Sequence, residues 1–526
     1  MTFYLDKYTV FDMKKSSIYS MNRIFIVAVF LLTSFAFAHA QDIPTFIGGG
    51  GDMFWSNSDN WLNGYKPAEG EFSVVISSDV IIDEDVLVTN LGYANGTYSV
   101  TIQAGKKLEI TQNHVWIGNA FILEDGAQLL SLSEGHAKVL KKVVAYDPEN
   151  HSMEFIASPI IEPITPSYEN GFITNPATGY NLFSFDENNH QWMDFKESPF
   201  DLERGQGYLY VNALDTILEF EGTVSSLSVE INLNYHSNNG SLAGYNLVGN
   251  PFPCNAYSNR SYFALDDSGN ALLAVAASSS VAIPPCQGIF VKAESVTDDI
   301  LFSKSSNSQS NDNLGYINFV LTKHNAPEFI LDNAILSFNS GDDLGEVLIL
   351  ENQPSLYFSK DSKDYGIISV DSVDVQPVKF KAAEDGSYTM HVEPIDREVA
   401  YMHLIDNMTG ANIDLLEQPE YTFDALTSDY ASRFKLILDP HYGIEEDDSS
   451  TSSGAFAYYA NGEIIINDVE TCPGASLQII DMMGRVVVTH VGDAINRVST
   501  IGLAKGVYVL RLNTIHGVRT QKMVIE

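Results

Sequence analysis

Three stretches near the start of the chain share one internal spacing, and each begins 21 residues after the last: Ile81 to Leu87, Ile102 to Leu108 and Leu123 to Leu129. Two of them also share Gly-x-x-Leu, as Gly105-Lys106-Lys107-Leu108 and Gly126-Ala127-Gln128-Leu129. A turn glycine followed by an inward leucine, recurring at one coil length, predicts stacked rungs of a parallel β-solenoid over residues 41–145. In such a stack a residue one coil later sits above its predecessor. Ile81, Ile102 and Leu123 are therefore expected to form one inward ladder, and Leu87, Leu108 and Leu129 another. A single rung cannot bury its apolar face, so the stack needs a cap. Trp55 and Trp61 precede the first rung and suit that role; stacking on sugar rings is the other use for such aromatics. Two ordinary hairpins with chance spacing are the competing fold.

Helical periodicity is almost absent from the rest of the chain. With 45% hydrophobic residues it can bury real cores, so the class is all-β and multidomain. Before the solenoid, Met21-Asn22-Arg23, the apolar run Ile24 to Ala38 and Ala38-His39-Ala40 read as a basic, an apolar and a cleavage region of a signal peptide. Cleavage near Ala40 leaves Gln41 first. Either Met21 is the true start, or Met1 begins a long basic region using Lys14 and Lys15.

Residues 41–454 hold 60 acidic and 19 basic side chains, whereas 455–526 hold six of each. The acidic part repels nucleic-acid phosphates and anionic membranes, so no nucleic-acid partner is expected. Asp83-Glu84-Asp85 and Asp342-Asp343 are the candidates for calcium contact. They lack the alternating spacing of a dedicated loop and read better as solvated surface.

Residues 146–305 contain an internal echo. Phe155-Ile156-Ala157-Ser158-Pro159 returns as Leu247-Val248-Gly249-Asn250-Pro251, and Gly205-Gln206-Gly207 before Tyr208 returns as Cys286-Gln287-Gly288 before Ile289. This predicts two copies of one β unit, with glycine after glutamine supplying a positive φ in a tight turn. The excursions between, Ile160–Leu202 and Phe252–Pro285, read as long loops carrying Tyr168, Tyr180, Trp192, Tyr257 and Tyr262. Cys254 and Cys286 each lie beside a proline turn and are a candidate disulfide in an exported chain; Cys472 is left over. A polar stretch, Ser303 to Asn313, leads into a β-sandwich at 306–440. An acidic, serine-rich tether follows at 441–456.

No His-Glu-x-x-His, Gly-x-Ser-x-Gly or phosphate loop occurs, so no catalytic residue, metal ligand or cofactor is assigned and no enzyme is expected.

Residues 457–526 alternate in short runs: Ile464-Ile465-Ile466, Leu477 to Asp481, Val486-Val487-Val488, Gly506 to Leu512 and Lys522 to Glu526. The ordered blocks Leu477…Asp481-x-x-Gly484-Arg485-Val486, Leu503-x-x-Gly506-Val507-Tyr508 and Lys522-x-Val524-Ile525 resemble the C-terminal sorting domain of type IX secretion cargo in Bacteroidetes. Tyr459-Ala460-Asn461-Gly462 stands where many members have a Pro-Asn-Pro turn. The resemblance implies an Ig-like β-sandwich with Gly484, Arg485, Gly506, Val507, Tyr508 and Lys522 in the sorting signal. It further implies passage through the periplasm to the cell surface or medium, with the translocon and its sortase as partners and anionic lipopolysaccharide as an anchor. Upstream, Asp406-x-x-Thr409-Gly410, Tyr421-x-Phe423 and Arg433-Phe434 resemble the β-sandwich often found just before such a tail, where its role is usually structural. The passenger is therefore expected to be structural or adhesive, touching surface glycans or host proteins. The rivals are a glycan binder using the loop aromatics and a secreted hydrolase with a dispersed acidic site.

Overall fold

The structure is a computed structural model. It describes residues 43–525 except 69, 71–72, 95–97, 113–120, 132, 148–152, 173–180, 226, 237–241, 306–314, 348–352, 371–374, 394–398, 400, 440–456, 461–462, 467–475, 483, 492–496 and 515–516. The signal-peptide reading, the 441–456 tether, Tyr180 and Cys472 lie outside the described residues. The chain divides into two compact units, 1–441 and 442–526.

The first unit begins as a three-walled parallel solenoid. One wall stacks Thr45–Phe46, Ser73–Ile76 and Asn90–Tyr93. The second stacks Val80–Ile82, Val100–Ile102 and Phe121–Leu123, and the third Val86–Val88, Lys107–Ile110 and Gln128–Ser131. Period-two alternation turns every second side chain inward, into one buried cluster.

The rungs are parallel, as the spacing implies, but the first is out of phase with it. The ladders are Ile82–Ile102–Leu123 and Val86–Leu108–Leu129; Ile81 pairs with Thr101 and Leu87 with Glu109, both half-buried. The cause is the corner. Only Asp83-Glu84-Asp85 separates Ile82 from Val86, whereas the next two corners are longer and turn on Gly105 and Gly126 at φ +69° and +71°. Shifting a strand by one residue exchanges its faces, so a 21-residue spacing that starts on Ile81 selects its outward neighbour.

Trp55 and Trp61 cap the stack. They are buried, meet edge-to-face at 4.6 Å, and Trp61 Nε1 donates to the Trp55 carbonyl at 2.9 Å. Neither offers a face to a sugar. The far end is closed by Gly135–Val143, parallel to Phe121–Leu123 and antiparallel to Thr216–Val224, and by the Pro253 carbonyl, which accepts from Leu129 N–H at 2.8 Å.

Many of the acidic residues read as solvated surface are staples. Asp79 accepts from Ser99 N–H, Asp85 from Lys107 N–H, Glu124 from Ala104 N–H and Asp125 from Lys142 N–H, at 2.7–3.1 Å. Asp83 accepts from Ser56 N–H and Oγ; Asp342 from Ser278 and Ser337; Asp343 from Ser369 N–H. A corner or edge leaves backbone donors without ladder partners, and a carboxylate is a strong acceptor for them.

The duplication is real in topology. Glu154–Ala157, Gly207–Val211, Asn181–Asp186 and Gln191–Asp194 form a sheet in that spatial order. Tyr245–Gly249, Gly288–Lys292, Tyr262–Leu265 and Leu272–Val275 repeat it. Each copy also has an opening strand paired with its closing one: Gly135–Val143 with Thr216–Val224, and Val229–Asn232 with Asp299–Ser303. A boundary at 145 therefore cuts the first copy from its opening strand, which is also the last rung of the solenoid. The excursions are not long loops, since each holds a hairpin.

The copies exchange bridges reciprocally, Gln206 with Val248 and Gln287 with Ile156. That crossing explains the glutamine–glycine pairs. Positive φ falls on the residue before glutamine, Gly205 (+84°) and Cys286 (+61°). The following glycine is needed for closeness: a Cβ on Gly207 would lie 2.6 Å from the Val248 carbonyl oxygen.

The sandwich expected at 306–440 is hydrogen-bonded as one eleven-stranded sheet around its own core, and its Ile335, Leu344, Val347 and Ile367 pack with the second copy instead. Its two end regions meet at a buried seam. Arg433 Nη2 lies 2.8 Å from Asp406 Oδ2, Tyr421 Oη donates to the same carboxylate at 2.9 Å, and Arg433 Nη1 donates to the Asp424 carbonyl at 2.6 Å. The guanidinium also lies over the Phe423 ring. The residues of the second resemblance are those that close the sheet.

Candidate functional site

The second unit is a sandwich of two sheets. Ala457–Ala460, Glu463–Ile466 and Arg497–Ser499 face Val486–Val491, Ser476–Asp481, Gly506–Thr514 and Gly517–Ile525. Ile464, Ile466, Leu477, Ile479, Val498, Tyr508, Leu510, Leu512, Met523 and Ile525 fill the space between.

Gly484 and Arg485 belong to one hairpin turn. Gly484 N–H donates to the Asp481 carbonyl at 2.8 Å with φ +75°, a conformation that favours glycine. Arg485 N–H and Nε then donate to the two Asp481 carboxylate oxygens at 2.9 and 2.8 Å. The pairing shifts register just beyond: Ile480 faces Val486 but Ile479 faces Val488, so Val487 is the extra residue of a β-bulge. Asp-x-x-Gly-Arg is thus a self-bracing turn that leaves Met482, Val486 and Val487 exposed.

Tyr508 is buried, and its hydroxyl donates to the Ala504 carbonyl at 2.8 Å, tying the preceding loop to its own strand. Gly506 and Val507 pair with Ile525 and Val524. Gly506 is not demanded by the backbone: a Cβ there would meet only the Tyr508 ring, at 3.9 Å. Lys522 is exposed and pairs with Val509. One contributor escapes sequence reasoning. Ala457 N–H donates to Gln521 Oε1 at 2.8 Å and Gln521 Nε2 returns a bond to the Ala457 carbonyl, clipping the first strand to the last. Nothing in a lone glutamine announces a contact 64 residues away.

In the first unit the remaining candidates disperse. Of the excursion aromatics, Tyr168 is exposed. Trp192 is half-buried against Phe185, Tyr257 is half-buried and Tyr262 is buried. Cys254 and Cys286 correct the disulfide expectation: both are free, buried thiols, the first packed in the core of the second copy and the second in the core that the solenoid shares with the first copy. Burial pushes each thiol up to about 12.

Three acidic groups stand apart. Glu187, almost wholly buried, accepts from His236 N–H, His236 Nδ1 and Gly244 N–H at 2.5–2.9 Å, binding both ends of the segment between. Burial raises its pKa, but those bonds outweigh it and hold the carboxyl below the usual range. Asp332 and Glu346 are half-buried, where the second copy meets the eleven-stranded sheet. Asp332 accepts from Asn333 and Leu356 N–H at 2.8 and 2.6 Å. Burial drives both carboxyls up, Asp332 to about 8, and for Glu346 the fields of Asp332 and Asp364 act in the same direction as burial.

A search of curated proteins found no match to the chain. The family model for the secretion system C-terminal sorting domain matches residues 460–526, covering six of the seven strands of the second unit in full. The chain therefore carries at its C-terminal end the sorting domain of the type IX secretion system, and is a protein which that system exports to the cell surface or medium.

Proposed function

We propose that the exported passenger is a structural or adhesive surface scaffold that works by contact rather than catalysis. The observation that carries this reading is where its carboxylates go. A hydrolase needs acidic side chains held free for substrate, whereas Asp79, Asp83, Asp85, Glu124, Asp125, Asp342 and Asp343 are each engaged by a donor of this chain. The dispersal of the excursion aromatics speaks against a single glycan cleft built from them. In this reading the tail engages the translocon, is removed by the sortase, and the passenger is anchored through anionic lipopolysaccharide. A signal peptide ending near Ala40 delivers the chain to the periplasm.

The test compares cells carrying the whole gene with cells in which only 43–439 is deleted in frame. Loss of adhesion or surface-layer integrity, with no hydrolytic activity of the purified passenger on polysaccharide or peptide panels, supports the reading. Turnover of any panel substrate, or unchanged adhesion and surface integrity, contradicts it.

A further inference from the structure

The two copies of the duplicated unit differ at one edge. In the second copy, Leu272–Val275 is the outer strand. Phe263 and Ala274 form a non-hydrogen-bonded pair, so the N–H and C=O of Ala274 point away from the sheet. Both are taken by one side chain: Ala274 N–H donates to Asn333 Oδ1 at 2.7 Å, and Asn333 Nδ2 donates to the Ala274 carbonyl at 3.0 Å. A carboxamide has the donor and acceptor of a peptide group, so Asn333 supplies one rung of a ladder that would otherwise stop in water. Asn333 is buried there.

In the first copy the same outer position is Gln191–Asp194. Phe195 N–H donates to the Leu182 carbonyl, which makes Phe183–Asp194 and Phe185–Trp192 the non-hydrogen-bonded pairs. The N–H and C=O of Trp192, and the N–H of Asp194, therefore point outward. The Asp194 carbonyl accepts from Glu197 and Ser198 N–H in the following turn, so the complete two-point site lies one pleat away, on Trp192. Among the described residues no group pairs with these three. Met193 is exposed beside them and Trp192 half-buried.

We propose that this edge is a docking site for an extended segment of a partner protein that presents a carboxamide to the N–H and C=O of Trp192, as Asn333 does to Ala274, while its backbone takes the Asp194 N–H. The occupant follows from the second copy, where the equivalent edge of the same unit is already covered in that way. Charge argues against a second copy of this chain, which carries −39 overall. Asp186, Asp194 and Glu197 flank the edge against Lys196 alone, so a partner segment of neutral or basic character fits. Strand addition draws its affinity from main-chain hydrogen bonds and its selectivity from the flanking side chains. The inference rests on the contact-type passenger proposed above but is independent of how the chain is exported.

The probe is a labelled peptide of residues 328–338, the segment bearing Asn333, made neutral by Glu328→Thr and Asp332→Ser, and titrated against the whole passenger by fluorescence anisotropy. Saturable binding is expected, at least tenfold weaker for a peptide with Asn333→Ala and for protein with Asp194→Pro. That proline removes an outward donor and leaves the inward ladder intact. Hydrogen exchange on the free protein supplies the second readout: the Trp192 and Asp194 amides exchange fast while Ala274 is protected, and peptide slows the first two. Absence of saturable binding at millimolar peptide, equal binding by Asp194→Pro protein of unchanged circular dichroism, or protection of Trp192 and Asp194 in the free protein each overturns the proposal. Adhesion of whole cells that persists in the Asp194→Pro strain sinks the edge as the adhesive site without touching the scaffold reading.

Discussion

Arg433→Met tests whether the Asp406 seam closes the eleven-stranded sheet. The guanidinium gives Asp406 three donor contacts at 2.8–3.2 Å, gives the Asp424 carbonyl one more, and lies 4.6 and 5.2 Å from the Phe423 and Phe434 ring centres. Both side chains of the pair are almost wholly buried. Removing one partner of a buried pair leaves an uncompensated charge and costs about 3–5 kcal/mol. Asp406 keeps Met408 N–H and Tyr421 Oη at 2.9 Å, which places the expected loss near the lower figure, about 3 kcal/mol. Urea unfolding of the passenger at pH 7, followed by circular dichroism, measures it. Adding Asp406→Asn to Arg433→Met should recover a substantial part, because the orphaned charge disappears with it. Burial raises the Asp406 pKa, but the Arg433, Met408 and Tyr421 hydrogen bonds hold it below the usual carboxylate range. The stability of the seam is thus present above pH 4 or so and lost as pH falls through the folded-state value. A loss below about 1 kcal/mol, or a double variant no more stable than Arg433→Met, would refute the argument.

Other outcomes follow from the same structure. Glu346 has the opposite sign: its raised folded-state pKa makes the native protein hold a proton that the unfolded chain releases, so stability falls as pH rises from 4 toward 8. Glu346→Gln should therefore gain on wild type in stability as pH rises, with the gap closing toward pH 4; a constant or inverted gap in a pH series of unfolding curves contradicts this. Leu108→Asp buries a charge between Val86 and Leu129 and should cost several kcal/mol, whereas Leu87→Asp, on the half-buried face beside Glu109, should cost about 1 kcal/mol. Equal costs would mean the phase of the first rung is wrong. Gly249→Val would place its Cβ 2.1 Å from that of Ala157 and should open the crossing between the copies, read as a drop in melting temperature; unchanged melting would show that the crossing is loose.

Strand periodicity, the duplication and the tail were legible because each depends on spacing along the chain. Corner lengths were not. Ile81 and Ile102 keep the 21-residue distance, yet a shorter corner at Asp83–Asp85 hands the inward place to Ile82. Nor was the dual role of Gly135–Val143 legible, since one strand serves as last rung and as opening strand, and alternation looks the same in both roles. Acidic residues looked solvated because composition does not say which backbone N–H a carboxylate will meet. In the sorting domain, Gly484, Arg485 and Tyr508 were visible as a motif. Their use, a turn bracing itself on Asp481 and a hydroxyl tying down Ala504, needed coordinates, as did the Gln521 clip.

Export by the terminal domain is tested most directly by deleting residues 457–526, the whole second sandwich, in a host with the type IX system and asking where the passenger goes. The account predicts a folded passenger retained in the periplasm, shielded from protease added to intact cells and released by osmotic shock. Passenger found on the cell surface or in the medium at wild-type levels would contradict it.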